Sequence, residues 1–172
     1  HLDAGRDVVV IEPSDVAMFR GEYDRLLPDA DALAAGSYEL FEYLYGLVAN
    51  GADLERLRSP GSAGAERLAY HSHCQQRTLG LESYTVTLLE RVGFDVATSE
   101  VECCGMAGSF GYKSEYYELS ADVGDRLAGQ FDADGMADRR VVASGTSCLD
   151  QLDSLLDRTP RHPVEVVAPD AD

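Results

Sequence analysis

Four cysteines are the residues whose type and spacing point most directly to chemistry. Cys103 and Cys104 are adjacent, and Gly105, Gly108 and Gly111 follow closely. Adjacent cysteines rarely bridge each other, because a disulfide needs Cα atoms about 4.4–6.8 Å apart and a trans peptide holds neighbours about 3.8 Å apart. Two neighbouring thiolates can instead bind one metal centre, and glycines let the backbone approach a bulky inorganic group.

The other two cysteines, Cys74 and Cys148, each lie near the end of a predicted strand. Four cysteines are also enough for two disulfides. A chain of 172 residues with 45% hydrophobic residues and no secretory signal favours free thiols in a reducing cytoplasm instead. We therefore interpret all four cysteines as ligands of a metal ion or an iron–sulfur cluster.

The elements that must position these cysteines alternate between strand and helix. Strands are predicted at 7–12, 67–73, 95–102, 139–144 and 164–167, and helices at 13–26, 37–49, 75–92, 112–131 and 147–156. This order predicts an α/β fold with a mostly parallel sheet and flanking helices. Working groups gather beyond the carboxyl ends of parallel strands, so cysteines that follow three different strands are expected to meet there.

A weak internal repeat relates two strand–turn–helix segments. Residues 8–15 (VVVIEPSD) align with residues 141–148 (VVASGTSC), and Asp15 occupies the place of Cys148. We predict that residues 1–58 are the remainder of a first unit and residues 59–172 a complete second unit, unless both form one compact domain. The chain begins without methionine and resembles a piece of a longer polypeptide.

The charge of the chain excludes one class of function. With 31 acidic and 14 basic residues the net charge is −17, whereas a nucleic-acid-binding protein needs the opposite sign. The acid is spread along the chain and Lys113 is the only lysine, as expected of a protein kept soluble in concentrated salt. No apolar run approaches the ~20 residues of a membrane span, so we expect a cytoplasmic protein, alternatively one associated with the inner face of the membrane.

The cysteine pattern resembles a known domain family. Twenty-eight residues separate Cys74 from the Cys103-Cys104-Gly105 motif, and 43 residues separate Cys104 from Cys148. Together with the flanking segments HSHCQ (71–75) and ASGTSC (143–148), this pattern resembles the cysteine-rich CCG domain. That domain occurs in heterodisulfide reductases and in the iron–sulfur subunits of glycolate oxidase and anaerobic glycerol-3-phosphate dehydrogenase. The chain is most similar to the C-terminal region of FAD-linked oxidases of the D-lactate or D-2-hydroxyglutarate dehydrogenase type.

The resemblance implies an electron-transfer segment of a flavin-linked 2-hydroxy-acid oxidoreductase, with no catalytic residue of its own. It implies an iron–sulfur cluster of the 4Fe–4S type on Cys74, Cys103, Cys104 and Cys148. The implied partners are flavin and ferredoxin-like domains of the parent polypeptide, where FAD would bind, and a quinone or another redox protein as electron acceptor. Two alternatives stay open: a zinc-stabilised structural or docking module, and a docking unit with idle cysteines. Zinc sites usually use paired Cys-x-x-Cys motifs, which are absent here and whose absence favours the cluster.

Two positions depart from the CCG pattern. Many CCG units end in Cys-x-x-Cys, and here Gly145 replaces the first cysteine of that pair. Relatives typically have Glu-Pro-Ser-Cys where this chain has Asp15 as the fourth residue. A carboxylate is a harder ligand than a thiolate, which makes Asp15 a doubtful ligand for a sulfur-rich centre. Glu12 is expected to be tied to a backbone amide.

Several further residues are predicted to support the cysteines without binding the metal. The backbone N–H groups of Gly105 and Gly108 can donate hydrogen bonds to sulfur, and Ser147 can do the same or cap a helix. His71 and His73 alternate along a strand, so at most one of them faces the cysteines. We predict hydrogen-bonded core histidines rather than ligands, with His73 supporting the site and His71 a doubtful ligand.

Overall fold

The protein is an α/β structure with two all-parallel sheets flanked by helices, which confirms the predicted fold class. A computed structural model describes residues 1–28, 30–57 and 65–168. The predicted boundary between residues 58 and 59 lies outside the described residues. Within them, no helix is long and apolar enough to cross a membrane.

The larger sheet has three strands: β3 (Arg67–His71), β4 (Asp95–Thr98) and β5 (Arg140–Ala143). Their order across the sheet is β4-β3-β5. Both neighbours run parallel to the central strand β3. All three carboxyl ends therefore lie at one edge of this sheet.

The two faces of the larger sheet pack against different helices. Leu68 and Tyr70 of β3 point to the face covered by α3 (Leu40–Ala49), α5 (Glu82–Val92) and α8 (Pro163–Val167). Ala69 points to the opposite face, which α6 (Tyr117–Phe131) and α7 (Thr146–Leu155) cover. Side chains alternate along a strand, so His71 shares the face of Ala69.

The smaller sheet pairs β1 (Val8–Val10) with β2 (Ser37–Glu39). The remaining helices are α1 (Pro13–Ala17), continued by a π turn over Met18–Glu22, α2 (Ala30–Ala35) and α4 (Cys74–Thr78). Short 3₁₀ turns lie at Leu2–Ala4, Tyr23–Arg25, Leu54–Arg56 and Phe110–Tyr112. The sequence pattern suggested a first strand buried on both faces, but Val9 is 39% exposed because a two-stranded sheet covers only part of its surface.

The predicted helix at 37–49 is wrong in its first three residues, which form β2. Glu39 has an extended backbone and caps α3: its carboxylate accepts hydrogen bonds from the N–H groups of Phe41 and Glu42. Glu42 completes this capping box by accepting from the Glu39 N–H. The capping box therefore starts the helix three residues later than the apolar pattern suggested.

The predicted strand at 164–167 is also wrong, because this segment is α8. Pro163 occupies the first turn, where its missing N–H costs nothing. His162 accepts a hydrogen bond from the Val164 N–H, and the Glu165 carboxylate accepts from the His162 N–H. A histidine in the N-cap position conceals this helix start from a search for serine, threonine or aspartate.

Two other predicted helices have different bounds. The helix predicted at 75–92 is divided into α4 and α5 at Gly80, whose φ of +71° ends the first segment. The helix predicted at 112–131 begins at Tyr117, after the Phe110–Tyr112 turn.

Candidate metal site

The four cysteines lie at the edge where the three parallel strands end. Cys74 begins α4 directly after β3, Cys103 and Cys104 lie in the loop after β4, and Cys148 lies in α7 after β5. All four are free thiols; Cys104 and Cys148 are buried, whereas Cys74 and Cys103 are half-buried. The parallel topology therefore places every cysteine at one edge of the larger sheet, which we call the cysteine site.

Three side chains of this edge form a compact buried group, the His71–Cys104–Cys148 triad. One ring nitrogen of His71 and the two Sγ atoms all lie within 4.8 Å of one another. Cys104 and Cys148 belong to the core on the Ala69 face of the sheet, which is the face that His71 shares. His71 lies close to the two sulfurs because its position on β3 directs its side chain to the same face of the sheet.

The two buried thiols of the triad shift each other's pKa in opposite directions. Interaction with Cys148, and to a smaller extent with His71, holds the pKa of Cys104 well below its ordinary value, against the opposing effect of burial. The same interaction with Cys104, together with burial, raises the pKa of Cys148. Cys104 is therefore the more acidic of the two thiols, and the thiolate is the form that binds a metal.

Cys74, one of the two half-buried cysteines, interacts electrostatically with Cys103 and with Cys104 of the triad. Burial raises the pKa of the Cys74 thiol, and electrostatic repulsion from the neighbouring cysteine sulfurs raises it further. The Gly105 N–H donates to Cys103 Sγ across 3.4 Å. This is the type of hydrogen bond to sulfur that was predicted for Gly105.

Glycines shape the loop that carries Cys103 and Cys104. Gly105 has a φ of +98°, and a Cβ there would overlap the carbonyl oxygen of Ser120 on α6. Gly108 also has a positive φ, of +69°, but it is exposed and no atom lies close to a Cβ built there. Gly105 is therefore required for the close contact between loop and helix, whereas Gly108 is required only by its backbone conformation.

His73 lies beside the triad and supports the start of α4. Its Nδ1 accepts the Gln75 N–H at 3.2 Å, and its Nε2 lies 3.7 Å from Glu12 Oε1. Burial lowers the pKa of His73, and the nearby carboxylate of Glu12 opposes this shift. A Cβ at Gly145 would overlap the His73 ring, which fills the space beside Gly145.

Glu12 connects the smaller sheet to the cysteine site. Its carboxylate accepts from the Ser14 N–H and hydroxyl, and its Oε2 accepts from the Thr146 N–H at 2.9 Å. Burial opposes its ionisation, but the Thr146 amide and the contact with His73 outweigh that effect and lower the pKa of Glu12. The expected bond to a backbone amide is confirmed. Its partner lies 134 residues away in the chain.

A buried polar network supports the ends of β3 and β5, and the sequence pattern did not reveal it. Gln76 Oε1 accepts hydrogen bonds from the hydroxyls of Tyr70, Ser72 and Ser144, at 2.6, 2.7 and 2.9 Å. Its Nε2 donates to Thr85 at 3.0 Å. In the sequence, only a glutamine two residues after Cys74 pointed to this network. Its role depends on four groups from three parts of the chain: the end of β3, α5 and the end of β5.

Two remaining predicted residues lie outside the triad. Ser147 is half-buried in the first turn of α7, but Gly145 rather than Ser147 is the N-cap. Asp15 is exposed on α1. The structure therefore does not bring Asp15 into the buried part of the cysteine site.

An open groove of about 690 Å³ gives access to the cysteine site from solvent. Its walls include Glu12, His73, Cys74, Tyr112 and Ser147. Cys74 is thus the cysteine that borders the groove.

Comparisons with known proteins associate the chain with dehydrogenases. It is 31% identical over 103 residues to a subunit of the anaerobic glycerol-3-phosphate dehydrogenase of Escherichia coli K12, covering 59% of this chain and 26% of that protein. It is 27% identical over 168 residues to D-2-hydroxyglutarate dehydrogenase of Pseudomonas putida, covering 96% of this chain and 15% of that protein. The Escherichia coli K12 enzyme of the same name is 25% identical over 167 residues, again covering 15% of its length.

The chain spans about a quarter or less of the length of these relatives. No family model matches the sequence. The relatives make the chain similar to segments of multi-domain or multi-subunit dehydrogenases. Its soft sulfur donors, together with a buried imidazole whose Nε2 has no hydrogen-bond partner, are compatible with a metal or iron–sulfur cofactor.

Proposed function

We propose that this chain is an electron-transfer segment of a flavin-linked 2-hydroxy-acid oxidoreductase and that it binds an iron–sulfur cluster of the 4Fe–4S type. Cys74, Cys103, Cys104 and Cys148 would hold the cluster. A bound cluster supplies one-electron transfer between a donor and an acceptor. Electrons would come from a flavin domain outside this chain.

The observation that carries the proposal is the convergence of free thiols on one sheet edge. Three strands deliver the four cysteines there, and Cys104 and Cys148 are 4% and 1% exposed. A structural role would require only small apolar side chains at these positions. The interactions that lower the pKa of Cys104 favour metal binding instead, because the thiolate is the form that binds metals.

The chain's own residues would set the environment of the cluster. The Gly105 N–H donates to Cys103 Sγ, and hydrogen bonds to sulfur raise the potential of a cluster. The side of the site formed by Cys104 and Cys148 is buried and closed to water, whereas Cys74 borders the groove. The groove side is therefore where electrons would enter or leave.

The proposal also covers the domain family, the internal units and the partners of this chain. We propose membership of the CCG domain family, with residues 1–58 as the remainder of a first unit and 59–172 as a complete second unit. Flavin and ferredoxin-like domains of the parent polypeptide would be its partners, and a quinone or another redox protein the electron acceptor. The acidic composition supports a source in a salt-loving organism. The proposed location is the cytoplasm, alternatively the inner face of the membrane.

A zinc-stabilised module is the second candidate. The His71–Cys104–Cys148 triad supports it, because two sulfurs and one nitrogen within 4.8 Å of one another suit the tetrahedral preference of zinc. In this case the site would stabilise the fold and transfer no electrons.

Anaerobic purification and reconstitution with iron and sulfide separate the two candidates. The proposal expects a brown protein with iron, sulfide and a paramagnetic signal after reduction. A colourless protein that holds one zinc per chain and takes up no iron would contradict the cluster and support the second candidate. Failure to bind either metal would leave a docking role.

A further inference from the structure

We propose that His71 binds the metal centre directly through Nε2, beside Cys104 and Cys148, so that nitrogen and sulfur share the inner side of the site. This inference rests on the proposed metal binding but not on the identity of the metal. It adds a ligand to the four cysteines.

The His71 ring is buried, and one of its two nitrogens makes no hydrogen bond of good geometry. The residue is fully buried, and Nδ1 lies 2.8 Å from Ser99 Oγ. Nε2 is also buried and makes no hydrogen bond of good geometry, although the ring lies close enough to lower the pKa of Cys104. A buried nitrogen without a well-placed partner is destabilising. A metal ion bound to that nitrogen would satisfy it.

The hydrogen bonds of Ser99 indicate which nitrogen of the His71 ring carries the proton. Ser99 Oγ accepts from the Arg77 guanidinium at 3.1 Å, and its own proton can reach the Val101 carbonyl at 3.4 Å. Ser99 then has a lone pair left for an Nδ1–H of His71. Donation from Nδ1 leaves the lone pair on Nε2. Metal-binding histidines commonly show this arrangement, with the other ring nitrogen donating to an oxygen.

The other buried histidines show the opposite arrangement. Nδ1 of His73 accepts the Gln75 N–H, and Nδ1 of His162 accepts the Val164 N–H. In a neutral ring, an accepting Nδ1 places the proton on Nε2. Neither of these two rings therefore offers an Nε2 lone pair, and among the three buried histidines only His71 lies within 4.8 Å of two cysteine sulfurs.

The proposed ligand has a redox consequence. Imidazole is neutral, whereas a thiolate carries a negative charge. Replacement of thiolate by histidine raises the potential of iron–sulfur centres. His71 would thus give the centre a higher reduction potential than a thiolate at the same position, as in His71→Cys, would give it.

Pulsed electron paramagnetic resonance on the reconstituted, reduced wild-type protein tests the proposal. We expect a strong coupling to a directly bound nitrogen, which changes when histidine is labelled with ¹⁵N. Only the weak coupling of a distant nitrogen would overturn the proposal while leaving the iron–sulfur cluster intact. Because the wild-type protein is measured, the result does not depend on whether a variant folds.

Two variants assign the nitrogen. His71→Cys should retain a cluster, lose the strong coupling and have a lower reduction potential. His162→Gln is the matched control, since His162 is another buried ring whose Nε2 has no hydrogen-bond partner, and it should retain the coupling. A coupling that persists in His71→Cys would contradict the proposal.

A zinc-loaded protein gives an independent outcome. If the protein binds zinc and not iron, X-ray absorption at the zinc edge should show a mixed nitrogen and sulfur shell that becomes all sulfur in His71→Cys. This would uphold His71 as a ligand while the electron-transfer function fails. An all-sulfur shell in the wild type, or no metal at all, would overturn the ligand assignment.

Ser99 should act as a positioning residue. Ser99→Ala removes the hydrogen bond to Nδ1 of His71, and such losses weaken metal binding about 10–100-fold. The strong nitrogen coupling should remain in the protein that still holds metal. Unchanged metal affinity would contradict the role assigned to Ser99.

Discussion

The β1–α1 junction and the β5–α7 junction have the same local plan but opposite roles. Each has a parallel strand, a short turn and a helix start, with Glu12 in the place of Gly145 and Asp15 in the place of Cys148. Asp15 is exposed, whereas Cys148 is 1% exposed within the core. A carboxylate is costly to bury without partners, whereas a thiol packs as a small apolar group until a metal binds it.

A hydrogen bond at the N-termini of the two helices connects the two junctions. Glu12 caps α1 with its own side chain, whereas Gly145 has no side chain with which to cap α7. The same Glu12 carboxylate accepts the N–H of Thr146, the first residue of α7. One acid therefore serves both helix starts, and the β1–α1 junction stabilises the β5–α7 junction without contributing a ligand.

The largest effect is expected from the aligned pair Cys148 and Asp15. Cys148→Ala should abolish most metal binding, by more than the 10–100-fold that loss of a supporting hydrogen bond costs. Asp15→Ala should leave metal content unchanged, because Asp15 is exposed on α1. Iron, sulfide and zinc per chain after anaerobic reconstitution measure both variants. Equal metal loss in the two would end the distinction between the junctions.

The next largest effect concerns a buried acid of the smaller sheet. Burial raises the pKa of Glu39 to about 7, although two backbone N–H groups oppose the shift. A raised pKa means that the folded state holds the proton more tightly. Its stabilising effect is complete below the ordinary value of 4.5 and is lost as the pH rises through about 7. Glu39→Gln should remove this loss, about 3 kcal/mol between pH 4.5 and pH 8.

Urea unfolding at several pH values in this range measures the effect. The exposed Glu115→Gln variant is the matched control and should keep the wild-type dependence on pH. An unchanged dependence in Glu39→Gln would show that Glu39 is ionised in the folded protein throughout this range.

A smaller effect is expected at Gly145. A Cβ there would overlap the His73 ring, which Gln75 and Glu12 hold in place. Gly145→Ala should therefore lower the free energy of unfolding by about 1–3 kcal/mol. Gly46→Ala, within α3 and with open space around its Cβ, should instead raise it by about 0.5–1 kcal/mol. Thermal and urea unfolding distinguish the two signs, and a stabilised Gly145→Ala would mean that the His73 ring moves freely.

The smallest effect tests the link between the junctions. Glu12→Ala removes the acceptor for the Thr146 N–H and for Ser14, and should cost about 1–2 kcal/mol at neutral pH. Because the pKa of Glu12 is lowered, its contribution is present above the ordinary value and is lost as the pH falls through the folded-state pKa. The difference from wild type should therefore shrink in acid. Ser14→Ala, which removes only the local hydroxyl bond, should cost less; an equal cost would argue against the long-range link.

The sequence pattern predicted some elements of secondary structure correctly and others wrongly. Strands and helices of the larger sheet follow from apolar runs and turns, and their parallel order places the cysteines at one edge. The strand predicted at 164–167 is a helix, since the His162–Glu165 capping box competes with the β-branched residues. At 37–39 the pairing with β1 overrides a helical pattern. A local capping box thus outweighed the strand propensity of residues 164–167, whereas a contact between distant segments outweighed the helical pattern at 37–39.

The donor types, their spacing and the strands that they follow could be predicted from the sequence, because these depend on local pattern and on the geometry of parallel sheets. Which histidine lies beside the sulfurs could not be predicted, because it depends on contacts between distant segments. His71 and His73 are two residues apart, and their roles depend on Ser99 and Glu12, which come from distant parts of the chain. Hydrogen bonds between distant segments set the orientation and proton position of each ring, and no local pattern encodes them.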